Sequence, residues 1–237
     1  MIDILDMHTH TIASGHAYNT IDEMARAAKE KGIKALGITE HAPEMPGTCH
    51  MIYFQNLRVL PRTMYGVEMF FGAELNIIDY DGGVDIPDNI LKEFDICIAS
   101  VHIPCLKDGG KEANTNAVIG AMKNPYVNII GHPDDGRFEL DYEKIVKAAK
   151  DYHVLLELNN SSVAPKAFRV NARENILMYL ELCRQYEVSV IMDSDAHCMY
   201  DVGNHTYISE IVKQINFPDE LIVNNSVEKL KEFLKRK

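Results

Sequence analysis

Chemistry in this chain is concentrated in its histidines and in a few acidic residues spaced like them. His8 and His10 stand one residue apart, and Asp195 and His197 repeat that spacing near the other end. In an extended segment residues i and i+2 project from the same face, so each pair can share one ion. His16, His41, His102, His132 and Glu74 fall between the pairs, each at the end of an apolar, β-branched run or in the loop after one. Imidazole and carboxylate are good donors to divalent metals, and such groups crowded together without cations would desolvate one another, at a cost on the order of several kcal/mol each. Nine donors suit three ions with about three protein ligands each, or two ions with groups to spare. A single histidine such as His102 in Ser100-Val101-His102-Ile103 is more often a hydrogen-bonded structural residue. It is the two spaced pairs and the repeated strand-end position that carry the inference. His50, His153 and His205 lack that position and are read as packing or surface residues, with His50 the one that could line the mouth.

The elements that must position these groups alternate along the chain. Strand-like runs cover 2–7, 33–39, 67–73, 95–100, 127–131, 154–159 and 188–192. Helical patterns lie between them, which is the signature of a mainly parallel sheet built from βα units. Thr20 and Glu23 have the spacing of a capping box, Ile21, Met24, Ala25 and Ala28 continue at helical period, and Gly32 is placed as a stop. Further helices are expected at 116–123, at 141–151 with Asp141 as N-cap, and at 171–185 with Asn171 as N-cap. The stretch 41–62 reads as a long loop with at most a short helix, and 76–86, around Asp81-Gly82-Gly83, as a small hairpin insertion. Parallel strands bring all their C-terminal ends to one face, so the nine donors would converge at a single mouth.

Composition bounds the rest. With 237 residues, 46% hydrophobic and 25% charged, the chain is expected to form one α/β domain over 1–237. Five cysteines without a Cys-x-x-Cys pair read as reduced packing residues. No apolar run approaches the roughly 18 residues that span a bilayer, and the first ten residues carry no secretory pattern, so the expectation is a cytoplasmic protein with no membrane partner. A formal charge of −11 argues against nucleic acid as a partner, because such binding is driven by basic side chains displacing counterions. The one basic cluster, Lys231, Lys235, Arg236 and Lys237, ends a short amphipathic segment, where cations complement a helix dipole.

These residues resemble the polymerase and histidinol phosphatase (PHP) superfamily, most closely its YcdX-type phosphatases. The resemblance rests on Asp6-Met7-His8-Thr9-His10-Thr11, Ser14-Gly15-His16-Ala17-Tyr18, Ile38-Thr39-Glu40-His41-Ala42-Pro43, Gly72-Ala73-Glu74-Leu75-Asn76, Ser100-Val101-His102, Gly131-His132-Pro133, Glu157-Leu158-Asn159-Asn160-Ser161-Ser162 and Asp193-Ser194-Asp195-Ala196-His197. It implies a distorted seven-stranded (β/α)7 TIM-like barrel, the PHP fold, whose strand ends hold three divalent ions. Zinc is the metal it suggests, and all-N/O ligation also admits manganese or iron. One ion would take His8, His10, Glu74 and Asp195, a second would share Glu74 and add His102 and His132, and the third would take His16, His41 and His197. Two positions depart from the family's common pattern: Glu40 stands where Asp is common, and Asp193 where Gly is often found.

The chemistry so implied is hydrolysis of a small phosphate monoester by a metal-bound hydroxide, and three divalent ions would add roughly six positive charges at the mouth of an acidic protein. Asp134, Asp135 and Tyr18 are candidates to protonate the leaving group, and Lys107, Arg137, Arg169 and Arg173 to bind its anionic groups. The rival enzyme readings are an amidohydrolase-like metal hydrolase, which would need a bridging lysine that no strand end offers, and a phosphodiesterase or nuclease, against which the charge argues. A non-catalytic module would have lost some of the nine donors. The sequence leaves a homo-oligomer open.

Overall fold

The structure is a computed structural model that describes residues 3–235. Its strands are β1 (Leu5–Asp6), β2 (Ala35–His41), β3 (Thr63–Met64), β4 (Val67–Asn76), β5 (Ile96–Ser100), β6 (Ile129–Ile130), β7 (Leu155–Asn159) and β8 (Val190–Asp193). Seven of them pair in parallel in the order β1-β2-β4-β5-β6-β7-β8 and curl into a nearly closed barrel. The seven parallel strands were legible as apolar runs, although position 2 of the first run lies outside the described residues. The unexpected β3 is antiparallel to β4 across Tyr65-Gly66, both at positive φ (54° and 81°), a two-residue hairpin without the usual Asn-Gly or Asp-Gly signal.

Parity along the strands determines what the barrel contains. Leu5, Met7, Ala35, Phe70, Ile96, Ile98, Ile129, Leu155 and Ile191 form one apolar cluster inside it. The alternate residues, among them Leu36, Ile38, Met69, Phe71, Leu75, Cys97, Ile130, Leu156, Leu158 and Met192, pack outward into a second cluster shared with the helices. Farther toward the C-terminal ends the inward positions turn polar: Glu74 continues the parity of Phe70, Glu157 and Asn159 that of Leu155, and Asp193 that of Ile191, all fully buried. Gly72 sits between Phe70 and Glu74, where a Cβ would overlap the Ile96 carbonyl of the neighbouring strand.

The helices are α1 (Ile21–Glu30), α2 (Met51–Asn56), α3 (Asp88–Leu91), α4 (Gly110–Met122), α5 (Tyr142–Tyr152), α6 (Ala172–Tyr186), α7 (Thr206–Gln214) and α8 (Val227–Leu234). Thr20 and Glu23 close the expected capping box on α1, worth about 1 kcal/mol, and Asp141 caps α5 through the Lys144 amide. Asn171 takes the expected N-cap position of α6, its carbonyl accepting from the Asn175 amide, but it does so at φ 53° and its side chain makes no capping bond. Helix α4 starts six residues before the expected 116, because its polar first turns carry no apolar period. Helix α8 packs Leu230, Val227, Phe233 and Leu234 against the apolar interior and so plugs the N-terminal end of the barrel. Of the basic cluster, Lys231 pairs with Glu68 at 2.7 Å, whereas Arg236 and Lys237 lie outside the described residues.

Among the described residues no ladder joins β1 to β8; an isolated parallel bridge pairs Thr9 with Ala196 just beyond them, and side chains bridge the rest of this seam. Asn224 donates to the carbonyls of Leu5 and Met192 and accepts from the Met192 amide, taking the place of a strand residue between them. Asp193 accepts from the Met7 amide at 2.6 Å, and Asp6 accepts from the amide and hydroxyl of Ser194 and from the Gly203 amide. His205, assigned to packing from its position in the chain, lies beneath this lock. Its Nδ1 is 2.7 Å from Asp3 and its Nε2 is 3.8 Å from Asp6. Burial opposes the imidazolium, but the two carboxylates outweigh it and push the pKa up to about 10.

A folded-state pKa above the usual imidazole value stabilises the fold fully below about pH 6.5, and that contribution is lost as pH rises through about 10. His205→Gln is expected to lower Tm at pH 7 by on the order of 10 °C, since it leaves buried carboxylates unpaired. The deficit should shrink toward pH 10, where wild type has lost the same charge. Melting curves of both proteins across pH 6–10 check this, and a deficit constant with pH would remove the ion pair from the seam.

Candidate metal centre and active site

Each strand end delivers one part of the centre. His8 and His10 follow β1, held by Thr9, which accepts from the Thr39 amide and donates through its hydroxyl to the Gly37 carbonyl. His41, the last residue of β2, and Glu74, two residues before the end of β4, are register partners, and His102, His132, Asp195 and His197 follow β5, β6 and β8. His132 and Asp195 sit at φ 27° and 54°, a strained conformation for residues with a Cβ, and each side chain meets the cluster there.

All nine sequence-predicted donors meet. Glu74 is fully buried; its Oε2 lies 2.6 Å from His41 Nδ1, 3.3 Å from His8 Nε2 and 3.6 Å from His10 Nε2, and its Oε1 lies 2.8 Å from His132 Nε2 and 3.2 Å from His102 Nε2. Asp195 Oδ1 is 3.4 Å from His10 Nε2 and 3.7 Å from His8 Nε2. His16 Nε2 faces His41 Nε2 at 3.2 Å and His197 Nε2 at 3.1 Å. Three sets of mutually close donor atoms result: His8, His10 and Glu74; His41, Glu74 and His102; His10, His41 and His197. His41 and His10 each belong to two sets, a more interlocked arrangement than three separate shells.

Hydrogen bonds behind the rings determine which nitrogen carries the proton. His8 Nδ1 donates to Glu157 at 2.6 Å and His197 Nδ1 to the Asp195 carbonyl at 3.0 Å. Asn76 spends its amide on Ala42 and Asp85, so its oxygen accepts from His102 Nδ1 at 2.7 Å. Ser14 gives its one hydroxyl proton to Glu40 and therefore accepts from His10 Nδ1 and from the His41 amide. In all four residues the Nδ1 proton is thus directed away from the centre and Nε2 faces it, the atom a metal would take. Buried His8 Nε2, His10 Nε2, His41 Nδ1 and Glu74 Oε2 have no hydrogen-bond partner. Inward lone pairs without donors, in a set made of nitrogen and oxygen, fit divalent cations.

The electrostatics agree. Burial would raise the Glu74 carboxyl, but His102, His8 and His41 hold it well below the usual range; Asp195 is likewise lowered against burial by His8, His10 and Arg169. Burial, with the neighbouring His41 and His197, lowers His10 strongly and His16 more modestly. His8 is raised despite its burial by Glu157, Glu74 and Asp195, a demand for positive charge that a cation would meet in place of a proton.

Several residues that hold the donors had no role in the sequence reading. Glu157 accepts from His8, from the His132 amide at 2.5 Å and from Asn159; its polar type at an inward strand position was the available signal. Glu40 accepts from the Thr11 amide and hydroxyl, from Ser14 and from Tyr53, so this departure from the family pattern braces the loop after β1. Asp193 is raised well above its usual pKa by burial and by Glu157 and Asp6.

A cavity of about 480 Å³ opens over the cluster, lined by His16, His41, His102, Asp195 and His197, by Arg137 and Arg169, and by Met45, Ile103, Pro104, Ser161, Phe168 and Asp201. The three leaving-group candidates do not line it: Asp134 is buried, its carboxyl pushed up to about 7 by burial, Asp135 is engaged by Arg137, and Tyr18 is 77% exposed. Arg169 bonds Asn159, Ser162 and Asp195, and its side chain is almost wholly buried. Lys107 and Arg173 are exposed and outside the cavity, Arg173 being bound to Gln214. His50 lines a separate groove beside α2, which corrects its place at the mouth, and His153 stacks on Phe233.

A family model described as "PHP domain" matches residues 6–163, a span holding seven of the nine donors. The chain belongs to the PHP domain family. A probable phosphatase of Clostridium novyi (strain NT) is 47% identical over 234 residues, covering 99% of this chain and 95% of that protein. A probable phosphatase of Caldicellulosiruptor bescii is 47% identical over 231 residues, covering 98% and 95%. Among solved structures, the histidinol phosphate phosphatase of Lactococcus lactis, crystallised with zinc, L-histidinol and phosphate, superposes with a TM-score of 0.62 at 18% identity over 93% of this chain and 94% of that one. At that identity the likeness speaks for the PHP fold alone. Among the described residues no helix is long and apolar enough to cross a membrane.

If Glu157 and Ser14 orient this PHP centre, Glu157→Gln and Ser14→Ala should each weaken metal retention by about 10–100-fold with the fold intact. Competition against a chelator together with circular dichroism would measure both; wild-type retention in the two variants would refute the orienting role.

Proposed function

We propose that this protein is a metal-dependent phosphatase that hydrolyses small phosphate monoesters at three divalent ions, zinc by preference. The observation that carries this reading is the inward ring of imidazole nitrogens around buried Glu74, whose carboxyl is held well below its usual range, with His8 Nε2, His10 Nε2, His41 Nδ1 and Glu74 Oε2 left without a hydrogen-bond partner. Its relatives, named probable phosphatases at 47% identity, support it, as does the solved neighbour with bound zinc and phosphate. Glu74 would join two ions, with His8, His10 and Asp195 on one side and His102 and His132 on the other, while His16, His41 and His197 hold the third.

Divalent cations held there would make a water nucleophilic near neutrality and neutralise charge on a phosphoryl group. The chain supplies the rest. Arg169 lines the cavity beside Asp195, and its guanidinium has donors beyond those spent on Asn159, Ser162 and Asp195, so it can offer positive charge and a hydrogen bond to a phosphoryl oxygen. The cavity walls limit access of bulk water, and a volume of about 480 Å³ suits a small ester.

Elemental analysis after identical dialysis, with turnover of p-nitrophenyl phosphate, tests the bridging role. Glu74→Ala should lose about two ions and at least 10³-fold in activity, because a shared anion leaves two neighbouring cations. His16→Ala should lose about one. A full metal complement in Glu74→Ala, or a faster turnover of bis-p-nitrophenyl phosphate than of the monoester by wild type, would overturn the reading.

A further inference from the structure

Arg169 is held on the cavity wall by contacts that cations in the donor set would disturb. The carboxylate it bonds, at 3.1 Å, is Asp195, itself one of the nine donors, whose other oxygen faces His8 and His10. A divalent ion taken up there would draw on the same carboxylate and repel the guanidinium. The Arg169 side chain is only 7% exposed, too little for solvent to screen that repulsion. An arginine that meets a phosphoryl group beside cations needs a negative charge that the ions do not share.

Such a charge lies on the loop after β6. Asp134 is fully buried and outside the donor set, and both its oxygens, like Arg169 Nε, lack a hydrogen-bond partner. Backbone contacts bind its segment to that of Arg169: the Gly136 amide donates to the Val170 carbonyl at 2.8 Å, and the Asn175 side chain donates to the Asp134 carbonyl at 2.7 Å. A Cβ on Gly136 would lie 2.5 Å from the Val170 oxygen, so only glycine permits this approach. Burial raises the Asp134 carboxyl, and Arg169 is the charge that acts most to lower it; burial disfavours the Arg169 cation in turn, and Asp195 and Asp134 favour it. The neighbouring Asp135 serves the other arginine of the wall, with Arg137 Nε 2.9 Å from both its oxygens.

We infer that Asp134 is a positioning residue, the counter-ion that keeps Arg169 on the cavity wall when cations occupy the donor set, so that the guanidinium stays available to a phosphoryl group. This rests on the phosphatase reading above for the ligand, which Asp134 itself does not touch. A buried carboxylate that neither reaches the cavity nor accepts a hydrogen bond is costly unless an opposite charge offsets it, and Arg169 supplies that charge. The two consecutive acids after His132-Pro133 thus divide the wall between them, Asp135 fixing Arg137 by direct contact and Asp134 fixing Arg169 from beneath.

The experiment measures binding of inorganic phosphate to the metal-loaded protein by calorimetry at about pH 8, for wild type, Asp134→Asn, Arg169→Gln and the double variant, with metal content and circular dichroism read on each. Asp134→Asn should keep its metal and weaken phosphate binding about tenfold, and Arg169→Gln about a hundredfold. Once Arg169 is gone, Asp134→Asn should add less than about twofold. Unchanged affinity in Asp134→Asn, an equal loss with and without Arg169, or loss of metal from Asp134→Asn overturns the anchoring role. Asp134→Ser repeats the comparison with a smaller side chain; if neither Asp134 variant folds while Arg169→Gln does, the carboxylate serves the core and the role is likewise overturned. Turnover of p-nitrophenyl phosphate by wild type is read alongside. Turnover without the Asp134–Arg169 coupling rejects the anchor and keeps the phosphatase reading, the coupling without turnover does the reverse, and a wild type that binds no phosphate overturns both.

Discussion

A carboxylate removed from water organises the C-terminal end of this barrel. Glu74 is fully buried, and burial by itself would keep its proton on; five imidazoles from four other strand ends, each within 3.6 Å, keep it ionised instead. Those imidazoles cannot all be cationic, because His10 is driven well below its usual value by burial and by its neighbours His41 and His197. The charge balance of the centre is therefore incomplete within the protein, and the loops after β1, β2, β5 and β6 are all drawn to one anion. Their relative heights follow from that convergence, which makes the position of Glu74 on β4 the reference for the whole face.

Precision comes from outside the ring. Glu157 behind His8, Ser14 and Glu40 behind His10, and Asn76 with Asp85 behind His102 each use their hydrogen-bonding capacity so that only one ring tautomer fits. The seam between β1 and β8 serves the same end, since Asp6 and Asp193 lock the stretch that carries His8 to the stretch that carries Asp195. Between the two i,i+2 donor pairs the backbone itself makes a bridge, Thr9 with Ala196, with the His10 amide donating to the Ala196 carbonyl at 2.9 Å, and these side-chain bonds hold the stretches that lead into it. Asn224, in a short turn before α8, supplies the missing backbone-like bonds, so plugging the barrel and aligning the centre are parts of one construction.

The seven parallel strands and the nine donors were legible in the sequence because both obey simple periods: β-branched runs bounded by turns, and histidines placed at the ends of those runs. What escaped reading has physical causes. Glu157, Asp193 and Asn159 lie inside strands, where a polar residue reads as an interruption until the barrel shows that these inward positions have passed from core to site. His205 pairs with Asp3 and Asp6 across about two hundred positions of chain, and no local pattern announces an ion pair of that span. Asn171 was legible as the N-cap of α6, but its left-handed backbone and the lack of a side-chain capping bond depend on a dihedral that residue type does not reveal. Helix α7 follows His205 with no capping bond and no Pro, Ser or Asp at its start, and left no boundary signal.

The field around the centre sharpens what the ring alone suggests. Glu74, Glu157, Asp193, Asp195, Asp134 and Asp6 are all buried beneath or beside the cavity of a chain with a formal charge of −11. Against them the cavity sets two guanidiniums: Arg137, already engaged by Asp135, and Arg169, partly engaged by Asp195. Burial, Glu157 and Asp6 push the Asp193 carboxyl well above its usual range, so its environment opposes a further negative charge in the belt. An anionic ligand approaching this surface would meet net repulsion from the polypeptide, growing as the local dielectric falls. Cations at the histidine ring would therefore do two physical jobs at once, completing a charge balance the fold leaves open and reversing the sign of the field at the mouth. A neutral or cationic ligand would need no such reversal, and that asymmetry is why the donor set and the acidic belt together favour a phosphate ester over an amide.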